Sequence, residues 1–197
     1  MPVKFDAAVL DADFAIKIGK IESRNVIEAV LVDLVEVLYI HKYVYDNEVL
    51  NPPNVKKQLD KLISCGRAFV VGQSFLSTRG EGKELVYQQT RDLLKANHAV
   101  EGNRRKNWGE IVSLAFARTE GVKIVLSDER DLQSVADDLL NIGDEQDIKV
   151  IRIRDFIEIM KGEGYERKLC RSIWLISIGK DETLEHRKEV FDREIWT

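Results

Sequence analysis

The chain has 197 residues, of which 44% are hydrophobic, and a formal net charge of −4 at neutral pH. This length suits one domain with its own core, and the slightly acidic balance provides no overall basic field for nucleic-acid binding, although a local basic patch is compatible with it. The N-terminal residues lack the apolar core of a signal peptide and no apolar run approaches the ~18 residues of a membrane span, so we expect a cytoplasmic protein that binds no membrane.

Short strands and helices alternate through the first half of the chain. The apolar run AAVL (7–10) predicts a buried strand, and a short helix is expected over about 14–20. Apolar residues at helical spacing from Val26 to Val35 predict a helix that leads into VEVLYIH, whose β-branched and aromatic residues predict a strand. A helix over KYVYDNEVL stops at two prolines, and Asn54 can cap the next helix.

The second half repeats this alternation more clearly. A strand over RAFVVG (67–72) is followed by a Gly-rich loop and by a helix around 84–95. NWGEIVSLAFARTEG predicts a helix that ends at Gly121. VKIVLS predicts a strand before a helix that Ser127 or Asp128 can cap, and the next strand spans 148–153.

Together these elements predict an α/β fold of three α/β/α layers around a central, mainly parallel sheet. Residues 1–160 form the predicted domain and residues 161–197 a C-terminal helical extension, with two helical stretches separated near Gly179. The extension is interpreted either as a packing element of the core or as a tail that binds a partner. The cysteines, Cys65 and Cys170, match no metal-binding spacing, and the three histidines suggest no zinc or nucleophilic site.

Acidic residues recur where ligands bind a parallel sheet, beyond the carboxyl ends of its strands. Asp11 directly follows the first strand and Asp128 follows VKIVLS. Glu110 lies in the first turn of its helix, and Glu48 is expected in the first turns of the helix after VLYIH. Each acid alone is also explained as a helix cap or as a charge that favours a helix N-terminus, but VLDAD and IVLSDERD share one pattern of apolar strand followed by acid.

Four carboxylates that converge repel one another, and therefore need a cation or must retain protons. Ligand sets made only of oxygen suit Mg²⁺ or Mn²⁺ rather than zinc. A divalent ion held in this way can activate water and stabilise a leaving oxygen, so phosphodiester hydrolysis is the chemistry that this set favours.

The order VLDADFAI, YVYDNEVL, WGEIVSLAFARTEGVKIVLSDERDL and IKVIRIRDFIEIM resembles the PIN domain, a compact metal-dependent nuclease fold. The resemblance covers about residues 5–160 and does not explain the extension. It implies a Mg²⁺- or Mn²⁺-dependent endonuclease that acts on RNA, or on DNA as some related members do. It also raises the prospect of a protein partner such as an antitoxin, and a homodimer is compatible with an extension that covers a second copy.

Carried over by motif, the four acids of the family fall on Asp11, Glu48, Glu110 and Asp128, with Asp46 as the alternative for the second. These four are the expected catalytic and metal-binding residues. Asp13 departs from the family, which usually has a small hydroxyl residue there, and it is interpreted either as an added metal contact through water or as a helix cap. The accessory candidates are Asp13, Asp131, Ser127 and Asn107.

A basic cluster just before the helix of Glu110 is the candidate contact for substrate phosphates, with an ordinary solvated loop as the other interpretation: Arg104, Arg105 and Lys106. Two other functions stay open. One is a non-catalytic interaction module on the same fold, suggested by aromatic residues in the extension: Trp174, Phe191 and Trp196. The other is a phosphatase, because LDAD also matches the Asp-x-Asp that ends the first strand of such enzymes.

Overall fold

In the computed structural model, which describes residues 4–21, 25–80, 82–98, 107–179 and 182–197, five parallel strands form the central sheet. The strands are β1 Phe5–Leu10, β2 Val35–His41, β3 Ala68–Val71, β4 Ile124–Leu126 and β5 Lys149–Ile151. Their order is β3-β2-β1-β4-β5, so the sheet extends from β1 in both directions. The predicted parallel α/β fold is confirmed.

Helices cover both faces of this sheet. They are α1 Ala12–Gly19, α2 Val32–Leu34, α3 Lys42–Asn47, α4 Pro53–Ser64, α5 Gln73–Ser77, α6 Lys83–His98, α7 Trp108–Glu120, α8 Leu132–Leu139, α9 Ile153–Gly162, α10 Arg167–Ile176 and α11 Leu184–Val190. Two π-helical segments, Ile27–Leu31 and Phe191–Ile195, precede α2 and follow α11. Within the described ranges, no helix is both long and apolar enough to cross a membrane.

The alternation of side chains along β1 divides the core into two layers. Ala8 and Leu10 pack with α1, α4, α9 and α10 on one face, whereas Val9 packs with α6, α7 and α8 on the other. Because successive side chains of a strand point to opposite faces, a strand buried on both faces is a continuous apolar run. AAVL is such a run, which explains why a short sequence without alternation forms the central strand.

Several local predictions differ from the structure. The predicted helix before β2 is present, but most of it has π-helical rather than α-helical geometry. Asn54 does not cap α4, because Pro52 occupies the N-cap and Pro53 the first turn. Proline is tolerated in the first turn because the backbone N–H groups there have no partner within the helix. The Asn54 amide donates instead to the Gly19 carbonyl (3.1 Å). Residue Asp131, rather than Ser127 or Asp128, precedes α8 at its N-cap.

The C-terminal helices pack against the same core layer as α1 and α9. Trp174 and Phe191 are buried in that layer, with 5% and 0% of their surfaces exposed. The Trp174 indole N–H donates to the Arg187 carbonyl (2.7 Å), and the Arg187 guanidinium lies over the same ring, 3.3 Å from its centre. Of the two interpretations of the extension, the structure shows the packing role.

His41 joins β2 to α3 and is buried. Its Nδ1 accepts a hydrogen bond from the Tyr43 backbone N–H (3.1 Å), and its Nε2 lies 2.9 Å from the Tyr87 hydroxyl. Burial lowers the pKa of His41 to about 4. The ring is therefore neutral at pH 7, and because Nδ1 is an acceptor, the ring hydrogen is assigned to Nε2, where it faces Tyr87.

Mild acid is expected to destabilise the fold through His41. As the pH falls below about 6.5, the unfolded chain binds a proton that the buried ring still rejects, so stability present above pH 6.5 is lost as the pH falls toward 4. The loss should reach about 2 kcal/mol at pH 5. Urea denaturation at pH 7.5 and pH 5 tests this with His41→Asn, which keeps an acceptor at the N-cap. Between pH 7.5 and pH 5, the free energy of unfolding of the variant should fall by about 2 kcal/mol less than that of wild type. Equal decreases would refute the assignment of a neutral, buried His41 ring.

Candidate active site

The candidate site lies where the sheet order reverses. β1 is the central strand, and the residue after it, Asp11, donates its backbone N–H to the carbonyl of Leu126 at the end of β4 (3.0 Å). In sheets of this kind, ligands bind beyond the carboxyl ends of the strands at such a point. A cavity of about 230 Å³ is present there. Its acidic lining residues are Asp11, Asp13, Glu48 and Glu110.

Asp11 is the most buried of these acids, with 4% of its surface exposed. Its Oδ2 accepts a hydrogen bond from the Ser127 hydroxyl (3.0 Å). Burial raises the pKa of Asp11 well above its ordinary value, and the charges of Asp13 and Glu110 raise it further, while the Ala12 backbone N–H lowers it. The surroundings of Asp11 therefore disfavour its ionised form, and carboxylates with pKa values shifted in this way are concentrated at functional sites.

Glu48 reaches the cavity from the C-terminal end of α3, where it is the C-cap, and not from the first turns of that helix as predicted. Burial raises its pKa to about 7, and the charges of Glu110 and Asp13 add to this, whereas a hydrogen bond from the Gly109 backbone N–H lowers it. Gly109 leaves room for the carboxylate. A Cβ at that position would lie 2.9 Å from Cδ and Oε1 of Glu48, and closer still to Oε2.

Glu110 enters from the first turn of α7. Its Oε2 lies 3.3 Å from Nε2 of His98, the last residue of α6. The Asn107 side-chain amide lies 3.2 Å from the same ring nitrogen, and its residue precedes α7 with a left-handed backbone (φ 61°). The end of α6 and the start of α7 thus position Glu110 together.

Asp13 lines the cavity and also contacts two charged residues outside it, Lys17 and Asp128. Its carboxylate accepts hydrogen bonds from the Asp128 backbone N–H (3.2 Å) and from the Lys17 ammonium (3.2 Å). Lys17 also donates to the Asp128 carboxylate (2.8 Å), whose other oxygen accepts from the Ile153 backbone N–H (3.1 Å). The Asp128 side chain therefore faces Lys17 and the start of α9 and does not line the cavity, whereas Asp13 does.

The other candidates lie as follows. Asp46 is exposed, pairs with Lys42 (2.7 Å) and lines a different cavity, so α3 brings Glu48 and not Asp46 to the acids. Asp131 is exposed at the start of α8. Ser127 is fully buried and Asn107 lines the cavity. The basic cluster of Arg104, Arg105 and Lys106 lies outside the described residues.

Sequence reasoning missed Lys17, His98 and Glu129. Burial raises the pKa of Glu129, and so do the charges of Asp13 and Glu110, which places its carboxyl in the same acidic field. Burial alone would lower the pKa of Lys17, but its hydrogen bond to Asp128 and the charge of Asp13 raise it. The spacing of Lys17 four residues after Asp13 was the available signal, since such residues face each other on a helix. No spacing in the sequence connects His98 with Glu110.

The donor chemistry of the cavity fits a hard divalent cation, because four carboxylates provide oxygen ligands and the raised pKa values of Asp11 and Glu48 show that their ionised forms lack a counter-charge. Across the described ranges, however, no three His, Cys, Asp or Glu side chains are close enough together to form a ready-made ion site.

Comparison of the chain with protein-family models, with curated proteins and with solved structures finds no match. The geometry of the site therefore carries the functional proposal.

Proposed function

We propose that the chain is a divalent-metal-dependent endonuclease of PIN-like type that hydrolyses phosphodiester bonds, with RNA as the substrate. The observation that carries the proposal is the group of four carboxylates in one cavity at the strand ends, two of which have raised pKa values. Carboxylates that lie this close together repel one another and destabilise the fold. Groups with pKa values shifted in this way are concentrated at functional sites. A cytoplasmic location is part of the proposal and agrees with two unpaired thiols.

The residues of the cavity have distinct roles in this proposal. Asp11, Glu48 and Glu110 would hold Mg²⁺ or Mn²⁺, with Asp13 beside them. A bound ion of this kind supplies an activated water and stabilises charge on phosphate oxygens. Ser127 fixes the Asp11 carboxylate through its hydroxyl.

The charges at the edge of the site have positioning roles. Lys17 holds Asp13 and Asp128 in place through its two ion pairs. His98 orients Glu110 from the end of α6. Both residues thus keep acidic side chains in fixed directions, and such partners commonly affect the activity of metal sites about 10- to 100-fold.

Cleavage of labelled single-stranded RNA with Mn²⁺, with Mg²⁺ and with EDTA tests the proposal. We expect cleavage with the metals and none with EDTA, because the carboxylates alone provide no activated water. Glu110→Gln should lower the rate at least about tenfold, since its charge supports the ion. The matched control is Glu158→Gln, which changes an exposed glutamate paired with Arg154 on α9.

Cleavage that persists in EDTA, or that is equal in Glu110→Gln and wild type, would show that the activity does not come from this cavity. A second readout is thermal unfolding with and without Mn²⁺, because a ligand that binds only the folded state raises the unfolding temperature. The rise should be smaller in Glu110→Gln and unchanged in Glu158→Gln.

The interaction-module alternative loses its main support in the structure. It depended on aromatic residues of the extension being available to a partner, yet Trp174 and Phe191 are buried and Trp196 stacks on Phe191 with ring centres 5.7 Å apart. These aromatic side chains pack in or against the core of the fold.

A further inference from the structure

A second and larger cavity adjoins the acidic one. It has a volume of about 750 Å³, within the range of about 300–1,000 Å³ that small-molecule sites occupy. It begins at the ends of β2 and β3, where His41 ends one strand and Gly72 follows the other. We call it the aromatic pocket, after its four ring-bearing lining residues: His41, Tyr43, Tyr87 and Trp108.

The rings of the aromatic pocket are arranged for contact with a flat ligand. Tyr43 and Trp108 are half-buried and nearly perpendicular, with ring centres 6.4 Å apart and an interplanar angle of 85°. A planar group stacked on one of these rings would be nearly perpendicular to the other, and both stacked and edge-to-face arrangements are favourable for aromatic groups. The Lys95 ammonium lies 5.9 Å from the centre of the Trp108 ring.

The pocket also offers polar groups. His41 donates its Nε2 hydrogen to the Tyr87 hydroxyl, so the hydroxyl hydrogen of Tyr87 is free to be donated elsewhere. Across the described parts of the chain, that hydroxyl has no other hydrogen-bond partner. Lys42 and Arg91 also line the pocket, and each is paired with a carboxylate, Lys42 with Asp46 and Arg91 with Asp92. Glu84, which also lines it, accepts from Gln88.

At two places, consecutive residues of the chain line the two cavities. On α3 and its end, Asn47 lines the aromatic pocket and Glu48 the acidic cavity. On α7, Trp108 lines the aromatic pocket and Gly109 the acidic cavity. Neighbouring Cα atoms are about 3.8 Å apart, so the two cavities lie side by side along α3 and at the start of α7.

We propose that the aromatic pocket binds an unpaired base of a single-stranded nucleic acid, stacked on Trp108 or Tyr43, and thereby places the adjoining phosphate at the acidic cavity. This inference rests on the proposed nuclease function. Base stacking on aromatic side chains tolerates any sequence, and the Lys95 ammonium beside Trp108 favours the phosphate chain. A base inside a duplex is stacked and paired and cannot enter, so the pocket selects single strands.

The binding test uses the full chain in EDTA, where no turnover is expected. Fluorescence anisotropy of a labelled RNA hexamer measures the Kd of wild type, Trp108→Ala and Trp108→Phe. We expect Trp108→Ala to weaken binding about 5- to 100-fold, as loss of base stacking does, and Trp108→Phe, which keeps an aromatic plane, to recover most of it. The matched control is Phe69→Ala on β3, an exposed aromatic residue outside the pocket. Circular dichroism checks that each variant is folded.

The outcomes separate the two proposals. Binding that depends on Trp108 without any cleavage in Mn²⁺ would keep the base-binding pocket and reject the nuclease. Metal-dependent cleavage with equal Kd values for wild type and Trp108→Ala would keep the nuclease and reject the pocket. A labelled duplex that binds as tightly as the hexamer would also reject the pocket.

Discussion

Asp11→Asn is expected to reduce RNA cleavage by about 10³-fold or more, because a charged ligand that acts on the reacting phosphate supplies several kcal/mol of stabilisation. The same variant should nevertheless be more stable than wild type in EDTA at pH 8. Burial and the charges of Asp13 and Glu110 raise the pKa of Asp11, so its ionised form disfavours folding. The amide keeps the shape and can still accept from Ser127. The expected gain is about 1–2 kcal/mol, typical of a stabilising substitution.

The pH dependence of this gain has a defined sign. A carboxyl whose pKa is raised by folding destabilises the protein most at high pH, and this cost disappears as the pH falls through the folded pKa and the group binds a proton. The advantage of Asp11→Asn should therefore shrink as the pH is lowered from 8. Urea denaturation in EDTA measures it, with Asp138→Asn, an exposed acid on α8, as the matched control. An inactive variant that is less stable than wild type at pH 8 would show that Asp11 is simply structural.

Gly109→Ala is expected to lower cleavage about 100-fold with little effect on folding, which is the size typical for residues that position a metal ligand. The added Cβ would overlap the Glu48 carboxylate. That carboxylate is the end of a flexible side chain, so we expect it to rotate away from the added Cβ while the backbone of α7 stays in place. Alanine also favours a helix by about 1 kcal/mol over glycine, which offsets part of any strain.

A double variant tests whether the effect of residue 109 acts through Glu48. In a Glu48→Gln background, Gly109→Ala should cause almost no further loss of activity, because side chains that act together are not additive. Gly162→Ala serves as the control, since a Cβ at that helical glycine meets no atom within 4 Å. Additive losses in the double variant would place the role of Gly109 outside the Glu48 contact.

The sequence predicted the parallel α/β fold because the residues that mark its strands and helix ends form local patterns. AAVL followed by Asp11 identifies a buried parallel strand with an acid at its end, and a helix that ends at Gly121 is marked by a residue suited to its left-handed backbone (φ 70°). The convergence of Asp11 and Glu110 in one cavity also followed from this fold. Parallel strands bring their carboxyl ends to one edge whatever the lengths of the connecting segments.

The details of the site depend on contacts between distant segments and could not be read from local pattern. Asp128 turns toward Lys17 and the first N–H of α9, which lie far from it in sequence. The choice between Glu48 and Asp46 depended on α3 ending at Asn47, and helix ends are uncertain by a residue or two. His98 meets Glu110 only because α6 ends beside the start of α7.

The burial of Trp174 and Phe191 determines how this protein can be divided. Both rings belong to the core layer that also contains α1, the helix that begins immediately after Asp11. A chain shortened to its first 160 residues would expose that layer to water and loosen the helix that carries Asp13 and Lys17. Residues 1–160 are therefore not a transferable module, and fusion or domain exchange should keep the chain intact through Ile195.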